Sequence, residues 1–281
     1  MTNPYYRRKA FDYLARGMAI LLTLLALIPL ASVFLFVAVR GAPGLGLDFF
    51  SKLPTPVGET GGGMANAILG SLTLVLIASA VGIPLGVMSG IYLSEHGTTR
   101  FATWVRYSAD VMSGIPSIAI GIFAYIVFVR PVHHFSAWAG GFALGIIMIP
   151  TITRTTEELL RLVPNFLREG ALALGVPKWR ATLKVVLRTA APGVATGIML
   201  AVARVAGETA PLLFTAFNNR FWADGLNEPT ASLPVQIYTY SVSPYEDWHQ
   251  QAWSAALVLM AVVFVLNAIS RFLARSHAEA R

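Results

Sequence analysis

Six apolar runs in this chain are long enough, or nearly so, to cross a hydrocarbon layer of about 30 Å as helices. They cover residues 17–39, 65–92, 107–129, 137–152, 194–217 and 252–272, and the fourth is the shortest. Of the 281 residues, 56% are hydrophobic and 12% are charged, whereas a soluble domain carries about 25% charged residues. Too few polar residues remain to coat a soluble core, and they are clumped between the apolar runs. Inside a bilayer each backbone N–H and C=O must be satisfied within its own segment, so such runs read as helices. The expected fold class is an all-α membrane protein with six transmembrane helices.

The basic residues orient this bundle. With both termini on the cytoplasmic side, the outer segments carry only Arg40, Lys52, Arg130 and Arg220. Every other Lys or Arg, except Arg204, falls in an inner segment, which is the positive-inside pattern. The net charge of +7 is therefore a matter of topology rather than of nucleic-acid binding. Arg7, Arg8, Lys9 and Arg16 precede the first run. That run exceeds the roughly 7–15 residues of a signal-peptide core, so it reads as an uncleaved anchor.

Cysteine is absent, which removes disulfides, thiolate catalysis and cysteine-based metal sites. Residues 40–64 and the stretches around Pro229 and Pro234 read as irregular outer connections. Gly61-Gly62-Gly63 is not followed by Lys-Ser/Thr, so the chain carries no P-loop and no nucleotide site. His133 and His134 are adjacent and cannot share a helical face as paired metal ligands do; no metal site is expected. Trp104, Trp138, Trp222, Trp248 and Trp253 read as interface anchors. Arg106 and Asp110, four residues apart, read as an ion pair at the inner end of the third span.

The inner segment at about 153–193 is too polar to cross the membrane and yet reads as helical. Thr156, Glu157 and Glu158 suit a helix start, and Pro164 interrupts the pattern. A short helix then follows from about Asn165 to Leu174. Gly175 can adopt the left-handed conformation that ends it, and Pro177 suits the first turn of a third helix. Leu167, Ala171 and Leu174 form an apolar stripe beside Arg168 and Glu169. Such a stripe fits a bilayer interface or a groove on a partner protein.

Glu169-Gly170-Ala171, then Gly175, then Val185 and Leu187 resemble the EAA loop of permease subunits in ATP-binding-cassette importers. Gly170 stands where that family has its first Ala, and Arg188 where it often has Pro. Further blocks resemble PstA-type phosphate permease subunits: Gly114-Ile115-Pro116-Ser117 with Gly121, Arg154-Thr155-Thr156-Glu157-Glu158, Leu172 to Arg180, and Arg204-Val205-Ala206-Gly207-Glu208-Thr209-Ala210-Pro211. The resemblance implies a type I, MetI-like permease fold whose short inner helix docks into an ATPase and carries its motion to the spans. Glu169, Gly170, Ala171 and Gly175 are then the ATPase coupling loop. It also implies a second permease subunit of PstC type, an ABC ATPase dimer of PstB type and an extracytoplasmic phosphate-binding protein of PstS type. ATP and Mg are used by the ATPase, and this chain binds no cofactor and is no enzyme. The expected home is a bacterial inner membrane.

Arg204 and Glu208 lie inside the fifth run, four residues apart, where helical geometry puts them on one face. A charged residue at mid-membrane is unfavourable by roughly 2.5–3.5 kcal/mol on insertion scales. Pro211 lacks an N–H and its ring clashes with the carbonyl of Gly207, so a kink is expected there. Two readings follow: a structural ion pair, or a substrate pathway in which Arg204 meets an anion. Guanidinium suits phosphate because it stays charged and offers paired donors.

The chain is thus expected to divide into an N-terminal segment with the first helix and outer loop (1–64), a five-helix permease core (65–272) and an inner tail (273–281). The competing functions are import of another oxyanion, such as sulfate or molybdate, and a stand-alone proton-coupled anion transporter. The latter usually carries repeated halves, and none is visible. No Ser–His–Asp, HExxH or paired-carboxylate pattern of a hydrolase lies at membrane depth.

Overall fold

The computed structural model describes residues 4–56, 59 and 61–276. Among these the chain is helical: α1 Pro4–Gly41, α2 Leu47–Ser51, α3 Ala65–Glu95, α4 Arg100–Gly114, α5 Ser117–Ala124, α6 Ala137–Arg161, α7 Asn165–Ala173, α8 Lys178–Ala181, α9 Leu187–Ala206, α10 Ala210–Thr215, α11 Leu233–Ser241 and α12 Glu246–Ser276. A wider π turn, Tyr125–Val129, extends α5, and another, Thr182–Val186, joins α8 to α9. Five stretches are long and apolar enough to cross a membrane, and α4 with α5 makes a sixth if that bent pair is one span.

Five expected boundaries move. The third run is not one helix. Pro116 and the residue before it, Ile115, are extended (ψ 136° and 131°), as the steric clash of a proline with its predecessor demands. The chain bends by 106° there. The fourth span, expected to be the shortest, runs on to Arg161. Thr156, Glu157 and Glu158 therefore continue a helix rather than start one. The expected third inner helix is the first turn of the fifth span, which covers Lys178–Ala206. Only residues 162–177 of the inner segment lie outside the long helices. Finally, Pro234 does not sit in an irregular loop but near the start of α11, where its missing N–H is not needed. The last helix passes residue 272 without a break and reaches Ser276; the rest of the expected tail lies outside the described residues.

The centre of the bundle is α6, packed along α3. Glycines on α3 make this approach possible. A Cβ on Gly82, Gly86 or Gly90 would stand 2.9, 2.7 or 2.5 Å from the side chains of Met148, Ile152 and Thr156 of α6. In a bilayer, apolar side chains gain little by leaving lipid for one another, so helices associate through such close packing of small residues. Leu74, Ile77, Leu144, Met148, Ile152, Val202, Val205 and Leu212 complete this core. A second core lies beyond the start of α3, where Phe49, Met64, Leu233, Tyr240 and Trp248 meet. Trp248 is not a lipid anchor: it is buried and stacks on Tyr240 at 4.3 Å.

By contrast, α1 is almost wholly unburied. It touches the bundle at its end, where Gln250 donates to the carbonyl of Arg40 (2.8 Å) and Ser254 to that of Gly41 (2.9 Å).

Candidate translocation site and coupling loop

The fifth span ends beside Arg204. Gly207 takes φ −99° and ψ 0°, and its N–H and that of Glu208 reach back three residues to the carbonyls of Arg204 and Val205. The tight last turn stops α9, and Pro211 then occupies the second position of α10, where a proline is tolerated. The expected kink is therefore a complete break, and Glu208 lies outside the helix that carries Arg204. Among the described residues, neither side chain forms an ion pair or hydrogen bond.

Two interrupted helices meet at this place. A Cβ on Gly121 of α5 would stand 2.6 Å from Cα of Pro211 of α10, so the two backbones touch. A narrow crevice beside Arg204 is lined by Ser113, Ile115, Ser117 and Thr151. The Gly114–Ser117 break and the Arg204 block, distant in sequence, thus face one space. The N–H groups of Ser117 and Ile118 precede the first intrahelical bonds of α5 and are free to donate to an anion.

Arg204 is exposed on the surface of this single chain. It lies about 24 Å along the helix from Arg188, less than the roughly 30 Å of a hydrocarbon layer. A charge at the centre of such a layer costs from about 3 to above 10 kcal/mol against lipid. A membrane chain can hold it there only against more protein or a water-filled path.

At the basic end of the bundle, α7 ends as the sequence leads one to expect. Gly175 has φ +78°, its N–H bonds to the carbonyl of Leu172 (2.9 Å), and the N–H of Val176 bonds to that of Ala171 (3.1 Å). This crossed pair is the Schellman stop. Ala171 and Leu167 turn inward, Ala171 buried and Leu167 against Leu160, Val163 and Val186. Glu169 and Gly170 are exposed, and a Cβ at Gly170 would meet nothing within 4 Å. Leu174 and Phe166 stand in the open as well.

The main charge cluster was not legible in the sequence. Arg106 and Asp110 do not pair with each other. Instead, Glu157, only 1% exposed, accepts from Arg106 (2.7 Å) and Arg154 (3.0 Å) and forms an ion pair with Arg161 (2.8 Å), while Arg154 also holds Asp110 (3.0 Å). The Arg154 to Glu158 block hinted at it, but the partner on α4 is 51 residues away.

Residues 82–278 match the family described as binding-protein-dependent transport system inner membrane component. The chain belongs to that family. It is a multi-pass inner membrane permease of a binding-protein-dependent transport system. Among its relatives is the phosphate transport system permease protein PstA of Haemophilus influenzae, 42% identical over 268 residues, which are 95% of each chain. The protein of the same description from Yersinia pestis is 45% identical over 83% of this chain and 79% of that one. Among solved structures, a bacterial alginate ABC transporter superposes with a TM-score of 0.67 at 12% identity over 98% of both chains. The inward-facing MetNI methionine ABC transporter gives 0.58 at 18% identity over 75% of this chain and 92% of that one. These two likenesses establish the permease fold.

Proposed function

We propose that the chain is one of two membrane subunits of an ATP-driven phosphate importer and forms half of its translocation path. The observation that carries this reading is Arg204: a cation within an apolar span, exposed and unpaired among the described residues, at the meeting of two broken helices. A second permease subunit of PstC type covers that face, and the path runs between the two. Guanidinium and the free amides of Ser117 and Ile118 then offer a phosphate several donors at once. Glu208 repels a bare dianion; its part is to accept a proton from protonated phosphate. The substrate assignment is supported by the relatives described as phosphate permeases.

In this reading the basic end faces the cytoplasm, and so do both termini. An ABC ATPase dimer of PstB type consumes ATP and Mg there, and α7 is the helix it pushes, with Glu169, Gly170, Ala171 and Gly175 shaping that contact. A phosphate-binding protein of PstS type delivers substrate to the other end. The test is Arg204→Ala in the reconstituted complex. Phosphate uptake is expected to vanish, with assembly and binding-protein capture intact, and Arg204→Lys to recover only part of it. Near-normal uptake by an assembled Arg204→Ala complex refutes the pathway role.

A further inference from the structure

One residue of α7 reaches beyond its own helix. Arg168 pairs with Glu95 at the end of α3, and its second nitrogen donates to the carbonyl of Leu160 in the last turn of α6 (2.9 Å). Both side chains are largely buried, Glu95 to 9% exposure and Arg168 to 21%. The partners are 73 residues apart. Beneath the pair, Ile91, one turn before Glu95 on α3, packs on the same small core as Leu167, the neighbour of Arg168. Apart from this core and the bond to Leu160, α7 hangs on the short connections 162–164 and 174–177.

We infer that the Arg168–Glu95 pair is a positioning strap that passes displacement of α7 to α3. The inference rests on the reading of α7 as the ATPase-contacting helix. Mechanically, a helix that only rests on an apolar patch can slide, since dispersion contacts have no direction. A guanidinium fixed to a carboxylate and a carbonyl on two different spans cannot slide without breaking charged hydrogen bonds. The glycine contact of α3 with α6 then carries the motion onward as a rigid unit. The outer side of α7, with Phe166, Glu169 and Leu174, stays free for the ATPase. Contact and transmission thus fall on opposite sides of one short helix.

The test uses Glu95→Gln, Arg168→Gln and the double variant in the complete complex with its ATPase and binding protein, reading phosphate moved per ATP hydrolysed. Each single variant should lower that ratio about tenfold, the scale of one coupled pair. The double variant should lower it no further, because one link is lost in all three. A wild-type ratio in either single variant, or a double-variant loss equal to the product of the singles, overturns the strap.

The chain lacks cysteine, so Leu174→Cys can report crosslinking of α7 to the ATPase. Failure of that crosslink in the otherwise unaltered complex refutes the contact reading itself, and the strap with it. Should the single variants not assemble, labelling of Ala171→Cys in membranes reads the seating of α7. Faster labelling in Glu95→Gln is expected, and an unchanged rate overturns the proposal.

Discussion

Replacing Glu157 by Gln should loosen α4 from α6 more than any other single uncharging substitution at the basic end. The carboxylate is 1% exposed and is surrounded by Arg106, Arg154 and Arg161, whose side chains are 24%, 33% and 50% exposed. Breaking a buried ion pair on one side costs about 3–5 kcal/mol. The arginines here are partly wet and regain water, so the lower end applies, about 3 kcal/mol. That energy is concentrated in one contact. Arg106 alone joins α4 to Glu157, whereas Arg154 and Arg161 belong to α6 itself, and Arg154 reaches α4 only through Asp110. Apolar contact between helices in lipid adds little to hold α4 in place.

Ala109 of α4 is buried, and a cysteine placed there in this cysteine-free chain can be labelled only when α4 opens. A loss of about 3 kcal/mol should speed maleimide labelling about 100-fold if opening is fast and reversible. Arg106→Gln should approach that effect, and Arg161→Gln should fall far below it, being half exposed and on the same helix as Glu157. Unchanged labelling in Glu157→Gln, or equal effects of Arg106→Gln and Arg161→Gln, would refute the argument.

Three other substitutions have clear expectations. Gly86→Leu drives a side chain into Ile152, whose Cβ lies 2.7 Å from the position of a new Cβ; overpacking of about 1–3 kcal/mol or more should appear as lower thermal stability and yield in detergent. Gly175→Val forces a β-branched residue to φ +78°; the strain, about 1–2 kcal/mol or more, should unseat the end of α7 and lower phosphate uptake per ATP in vesicles. Gly170→Ala meets open space inside a helix of the single chain; it should stabilise the isolated subunit by about 0.5–1 kcal/mol, read as a small rise in melting temperature.

Much of the fold was legible because its signals are local. The length of an apolar run, a glycine that can turn left-handed and a proline near a helix start each act within a few residues. For that reason α7 and its stop at Gly175 fall where the sequence puts them. The same signals misled where two of them competed. Pro116 and Gly207 interrupt runs that stay mainly apolar on both sides of the break, and hydropathy does not register a backbone break. Thr156-Glu157-Glu158 resembles a helix start, yet α6 continues through it because Arg106 and Arg161 neutralise the buried carboxylate.

Arg204 stood out as a candidate from the sequence alone, since a charge within an apolar run is costly wherever the run lies. Its partner did not. Four-residue spacing suggested Glu208 for Arg204 and Asp110 for Arg106, and neither pair forms. The sequence by itself determined that the chain crosses a membrane, where the short helix α7 ends and which charge interrupts an apolar run. Tertiary structure decided which charges meet: Arg106 with Glu157, Arg168 with Glu95, and Arg204 with none among the described residues. The physical reason is that helix spacing orders side chains only along one helix. Contacts between helices are set by how closely their backbones approach, here through Gly82, Gly86 and Gly90 on α3.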